Sequence, residues 1–169
     1  MQSTFKNEKK IRSIRRWMIF FMISLFLSGL TAIPVEQELA YLTRFFSTDT
    51  ALGSWLHKVY VALAETNRKT PFLAYGYDWL AFAHFILAIL FIGVFRDPVR
   101  NKWVIEFGMI ACWVVVPFAM VAGHYRGIPL GWRFIDCLFG VAGLIPLTIC
   151  YKKISRLEAA EIKVQYEIK

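Results

Sequence analysis

The sequence predicts an all-α integral membrane protein: a four-transmembrane-helix bundle with amphipathic surface helices between spans one and two. Three observations predict it. Hydrophobic residues make up 57% of the 169 residues and the mean hydropathy is +0.48, both high for a soluble globule of this size. The apolar residues gather into four nearly uncharged runs, about 17–33, 79–95, 104–122 and 134–151, each near the lower end of the ~17–25 residues needed to span. Basic residues collect at alternate ends of these runs, as the positive-inside bias requires. The chain is long enough for one membrane domain, 1–169.

Residues 1–16 carry Lys6, Lys9, Lys10, Arg12, Arg15 and Arg16 against the lone Glu8. The first run follows directly. A secretory signal cleaved after Ala32 would place Leu30 at −3, where a small residue is wanted, so an uncleaved signal anchor is expected. Ser24 and Ser28 give this helix a small-residue packing face. Between runs one and two, residues 34–77 show two helical periodicities. One is Val35, Leu39, Leu42 and Phe46. The other is Leu52, Leu56, Val59 and Leu63, after the capping run Ser47-Thr48-Asp49-Thr50. They read as two short amphipathic helices lying on the outer surface, or as a small subdomain packed on itself. Pro117 and Pro146 fall inside runs three and four, where neighbouring helices can satisfy the freed carbonyls, and mark kinks rather than ends. The tail 152–169 reads as a cytoplasmic amphipathic helix with Ile154, Leu157, Val164 and Ile168 on one face. Glu106, four residues after Lys102, is expected to pair with it.

Orientation follows from the basic residues. The N-terminal segment has six. The loop between runs two and three adds Arg96, Arg100 and Lys102, and the tail adds Lys152, Lys153, Arg156, Lys163 and Lys169. The other side has six over a much longer length. Both termini are therefore expected in the cytoplasm, in the inner (plasma) membrane of a bacterium. Trp17, Trp103 and Tyr151 then form an inner aromatic belt, and Tyr75, Tyr77, Trp79, Tyr125 and Trp132 an outer one. The net charge of +8 is assigned to this bias and to anionic lipid, with no nucleic-acid partner. Cys112, Cys137 and Cys150 show no metal spacing, and Cys137 and Cys150 lie too far apart on one helix to pair, so all three read as small apolar fillers.

The stretch GHYRGIPLGWRFIDCLFG, residues 123–140, holds His124, Arg126, Arg133 and Asp136 between two apolar runs. Asp78 and His84 open the second run on the same side. Ionisable groups in a span cost several kcal/mol, order of magnitude, unless paired or wetted, so these six are the candidate site. One reading is catalytic: Arg126 and Arg133, with His124, hold an anionic headgroup, while His84 or His124 acts as base or nucleophile oriented by Asp136 or Asp78. A second is structural: Arg133 pairs with Asp136, and His84 bonds a backbone group or Asp78. In a third, His84 and His124 ligate haem or a metal, but no ligand motif such as HExxH is present and no cofactor or metal is expected. Gly140 and Gly143 follow Asp136 on its face and form a groove that either a neighbouring helix or a lipid tail would occupy. His57 reads as a solvated residue.

Asp78, the pair His84-Phe85, then Arg126 or Arg133, then Asp136-Cys-Leu-Phe-Gly140-Val-Ala-Gly143 resemble the motifs of the VanZ-like group of small bacterial membrane proteins over residues 77–147. That group shows Asp-Lys-x-x-His-Phe at the start of one span, and an Arg, then Asp-x3-Asn-x2-Gly, at another. Here Asp78 and His84 are six apart, Gly140 holds the Asn position, and Met-Val-Ala-Gly-His-Tyr-Arg stands in place of Glu-x-x-Gln before the arginine. The resemblance implies action on lipid headgroups. The expected function is thus binding or modification of an anionic lipid or polyprenyl-phosphate headgroup in an outer-leaflet pocket. The alternative is a non-enzymatic assembly or accessory subunit, acting as a homo-oligomer or with a membrane partner protein.

Overall fold

The structure is a computed structural model that describes residues 2–167, with side chains described over 7–160 and at Ile162 and Tyr166. The chain is all-helical, and no strand occurs among the described residues. The helices are α1 (Gln2–Ala32), α2 (Val35–Leu42), α3 (Ala51–Lys69), α4 (Tyr75–Leu90), α5 (Ile92–Arg96), α6 (Lys102–Tyr125) and α7 (Leu130–Glu167), with a 3₁₀ turn at Pro71–Ala74. Four helical stretches are long and apolar enough to cross a membrane: Asn7–Ala32, Pro71–Arg96, Lys102–Tyr125 and Leu130–Ala160. Each covers one of the four apolar runs, the first ending at Ala32, one residue short of its run. Pro117 and Pro146 both lie inside helices that continue past them. The contacts divide the chain into two compact units, Met1–Met22 with Ile89–Lys169, and Ile23–Ala88.

In the first unit, Ile14 and Met18 of α1 are fully buried with Val94, Val104, Ile105, Leu147, Cys150 and Ile154. Their spacing on α1 (i, i+4) and on α7 (147, 150, 154, 157) is that of a single helix face. The tail adds to this core: Ile154 and Leu157 are buried, and α7 runs without a break through the expected boundary at residue 151. Of the tail's predicted face, the Val164 side chain and Ile168 lie outside the described residues. Polar ties edge this core. Lys153 Nζ donates to Ser13 Oγ, Arg15 Nε donates to Phe95 O at 3.1 Å, and Lys102 Nζ meets Glu158 Oε2 at 2.7 Å. The expected local pair of Lys102 with Glu106 gives way to this one, because Glu158 faces Lys102 from the adjacent helix while Glu106 is exposed. The helix of the second apolar run is interrupted at Phe91, which is 2% exposed and meets Phe21 edge-on at 4.8 Å. Asn101 holds the following turn, donating through Nδ2 to Gly93 O and Asp97 O.

Helices α6 and α7 pack closely along Gly140 and Gly143. A Cβ on Gly140 would stand 2.5 Å from Cys112 O and 2.8 Å from Val115 Cγ1. One on Gly143 would stand 2.9 Å from Cys112 Sγ. Of the two occupants expected for this glycine groove, a helix fills it: α6. Cys112, Cys137 and Cys150 are all free thiols, the last two buried.

In the second unit, Leu39 of α2 and Leu56 and Leu63 of α3 are buried, so the two amphipathic faces pack on one another. Asn67 Nδ2 donates to Glu36 Oε2 across the pair at 2.6 Å. Thr50 is the N-cap of α3, its side chain accepting from Gly53 N at 3.0 Å. Helix α2 stops at Leu42, and Phe46, expected on its face, lies exposed in the turn beyond it. The C-terminal part of α1 approaches α4 at Gly29, next to Ser28. A Cβ there would lie 2.8 Å from His84 Cβ and 2.9 Å from Ala81 O.

Candidate functional site

His124, Arg126, Arg133 and Asp136 belong to the first unit and surround the turn between α6 and α7. The turn is dictated locally. Ile128 N donates to Gly123 O at 2.9 Å and Arg126 N to Ala122 O at 3.0 Å, the pattern of a helix closed by a left-handed residue. That residue is Gly127, with φ 66°, where a side chain would be strained. Pro129 then starts α7: its carbonyl accepts from Trp132 N and Arg133 N. Gly-Ile-Pro therefore ends one helix and starts the next within three residues.

Arg133 does not pair with Asp136. Its Nε donates to Ile128 O at 2.8 Å and its Nη1 reaches Met120 O at 3.5 Å. Its methylenes lie over Gly123, where a Cβ would meet Cγ and Cδ at 2.8 Å. The guanidinium thus ties the start of α7 to the carbonyl end of α6, where a cation also complements the helix dipole. Asp136, one turn further into α7, is half-buried and has no hydrogen-bond or ion-pair partner among the described residues. Arg126 and His124 are exposed, and His124 stands edge-on to Tyr125 at 5.9 Å. Arg126 has no carboxylate partner among the described residues. The turn thus presents one exposed guanidinium, one exposed imidazole and the unused donors of Arg133.

Asp78 and His84 belong to the second unit, both on α4. Asp78 is exposed and lines a shallow notch of ≈ 240 Å³ with Tyr75, Trp79 and Phe82. It does not pair with His84. His84 is half-buried, and its Nδ1 lies 2.8 Å from Leu80 O. A carbonyl can only accept, so Nδ1 carries the hydrogen, and in the neutral ring Nε2 is left as the proton-accepting nitrogen. The backbone, rather than a carboxylate, orients this imidazole. His57 is exposed, and no three potential metal-ligating side chains gather among the described residues.

Sequence reading gave no role to Gly123, which lodges the Arg133 side chain, or to Gly127, which closes α6. The signal for Gly127 was present in the Gly-Ile-Pro punctuation. For Gly123 there was none, because its neighbour is set by tertiary packing. The chain matches no family model, no curated protein and no solved structure.

Proposed function

We propose that this chain is a multi-pass protein of a bacterial inner membrane, with both termini in the cytoplasm. It binds an anionic lipid or polyprenyl-phosphate headgroup at the α6–α7 turn, in the outer leaflet. Support for insertion comes from the outward faces of the long helices. On α6 they carry Ile110, Trp113, Phe118 and Val121, each more than half exposed, and so wide an apolar surface needs hydrocarbon to cover it. Support for orientation remains the distribution of basic residues.

One observation carries the headgroup reading: Arg126 stands exposed at the C-cap of α6 with no carboxylate partner among the described residues, and a guanidinium fork in that state matches a phosphate bidentately. Arg133 adds its free nitrogen donors while its Nε fixes the turn. The resemblance to VanZ-like motifs in residues 77–147 points to the same substrate class, although the chain matches no family model.

Arg126→Ala tests the binding step because Arg126 is exposed and its side chain makes no hydrogen bond or ion pair among the described residues. Titration of detergent-purified protein with a polyprenyl phosphate should show affinity weakened about tenfold to a hundredfold, the range of a lost charge-assisted hydrogen bond, with an unchanged unfolding temperature. Equal affinity in the variant would sink the headgroup reading.

A further inference from the structure

We propose that the first unit holds a second lipid site, a basic cleft on the N-terminal half of α1 that takes the phosphate of an anionic phospholipid. Lys9, Arg12, Arg15, Arg16, Ile19 and Phe95 line a cleft of ≈ 690 Å³. Positions 9, 12, 16 and 19 follow helical spacing along one face, and 15 adjoins 12 and 19. Four cations on one face repel each other. Among the described residues, however, none of Lys9, Arg12 and Arg16 has an acidic partner, and Glu8 on the same helix forms no ion pair. These cations are therefore open to a counter-charge from outside the chain, and three of the four groups are guanidinium forks suited to phosphate oxygens.

Arg15 is already positioned. Its Nε donates to Phe95 O and its guanidinium lies 5.5 Å from the Phe95 ring centroid, while both Nη groups have no hydrogen-bond partner among the described residues. Fixing one fork in advance lowers the ordering cost of binding. The apolar members choose the occupant. Ile19 and Phe95 close the cleft on the side where the uncharged run of α1 begins, so a ligand there needs a charged head joined to an apolar body. A phospholipid has that form and a free phosphate does not. The site rests on the membrane reading above and is independent of the headgroup site at the α6–α7 turn.

The test uses full-length protein in a neutral detergent at physiological salt, doped with equal amounts of phosphatidylglycerol and phosphatidylcholine, and counts retained lipid by native mass spectrometry. At trace doping the micelle carries almost no anionic surface, so scattered basic residues gain little there. The wild type should favour phosphatidylglycerol more than about tenfold, the effect of one charge-assisted hydrogen bond. In an Arg126→Ala background, which removes the headgroup site at the α6–α7 turn, Arg12→Gln/Arg16→Gln should abolish that preference while eluting as a single folded species. Lys152→Gln/Arg156→Gln, which removes the same charge from exposed positions outside the cleft, should keep it. Equal loss in both variants, no preference in the wild type, or displacement of the lipid by millimolar glycerol phosphate would each overturn the site. Recovery of the protein without detergent would instead overturn the membrane reading on which it rests.

Discussion

Gly140→Leu will separate α6 from α7 and cost about 3 kcal/mol or more, beyond the usual ~1–3 kcal/mol of an overpacked position. The reason is what stands opposite. A Cβ at Gly140 would come within 2.5 Å of Cys112 O. A backbone carbonyl inside a helix has no rotamer to retreat into, so the helices must part. Replacing glycine in a helix ordinarily gains up to ~1 kcal/mol of propensity, and this gain supplies the internal control. Gly131→Ala, on the first turn of the same helix with nothing within 4 Å of its added Cβ, should be neutral or slightly stabilising. Gly143→Ala should fall between, because its neighbour Cys112 Sγ can turn aside. Thermal unfolding of the detergent-purified variants should rank them in that order. A Gly140→Leu variant as stable as the wild type would mean that α6 and α7 do not meet there.

Leu147→Ala should be the second most damaging change, at about 2–3 kcal/mol. Leu147 is 0% exposed and reaches the surface of α6 at Gly108, where a Cβ would meet Leu147 Cδ1 at 3.1 Å. In water-soluble cores this truncation costs ~2–5 kcal/mol, part of it transfer from water and part the cavity left behind. Lipid is as apolar as leucine, so in a membrane protein the transfer part falls away and lost packing remains. The same argument makes Leu138→Ala, at a position 60% exposed, nearly free. Equal losses at 138 and 147, measured by denaturation in detergent, would contradict the packing described for α7.

The parts of the fold that were legible before the structure are those whose cause is local. The four apolar runs reappear inside four long helices, since their length and composition need no partner to be read. Thr50 caps α3 because the residue just before a helical run accepts from an N–H only two or three residues on, here Gly53 N, and needs no distant partner. The Gly140–Gly143 face was visible as a periodicity, though its occupant was not. What could not be read depends on residues far apart in the chain. Lys102 finds Glu158 across 56 residues rather than its i+4 neighbour. The break at Phe91 goes with a buried contact to Phe21. Arg133, three residues before Asp136 and expected to pair with it, instead bonds backbone carbonyls that the α6–α7 turn brings within reach. For the candidate site, the sequence found the turn and its charged residues, while the roles of Arg133 and His84 emerged only with their carbonyl partners.

The topology proposed for this chain puts the α6–α7 turn on the outer face of the membrane. Single substitutions Thr48→Cys, Arg126→Cys, Arg100→Cys and Lys152→Cys place a thiol at four exposed positions. The three native cysteines, buried or half-buried within helices, serve as the background. A membrane-impermeant maleimide applied to intact spheroplasts should label positions 48 and 126 and leave 100 and 152 untouched until the membrane is opened. Labelling of position 100 or 152 in sealed cells, or of 48 without 126, would contradict it.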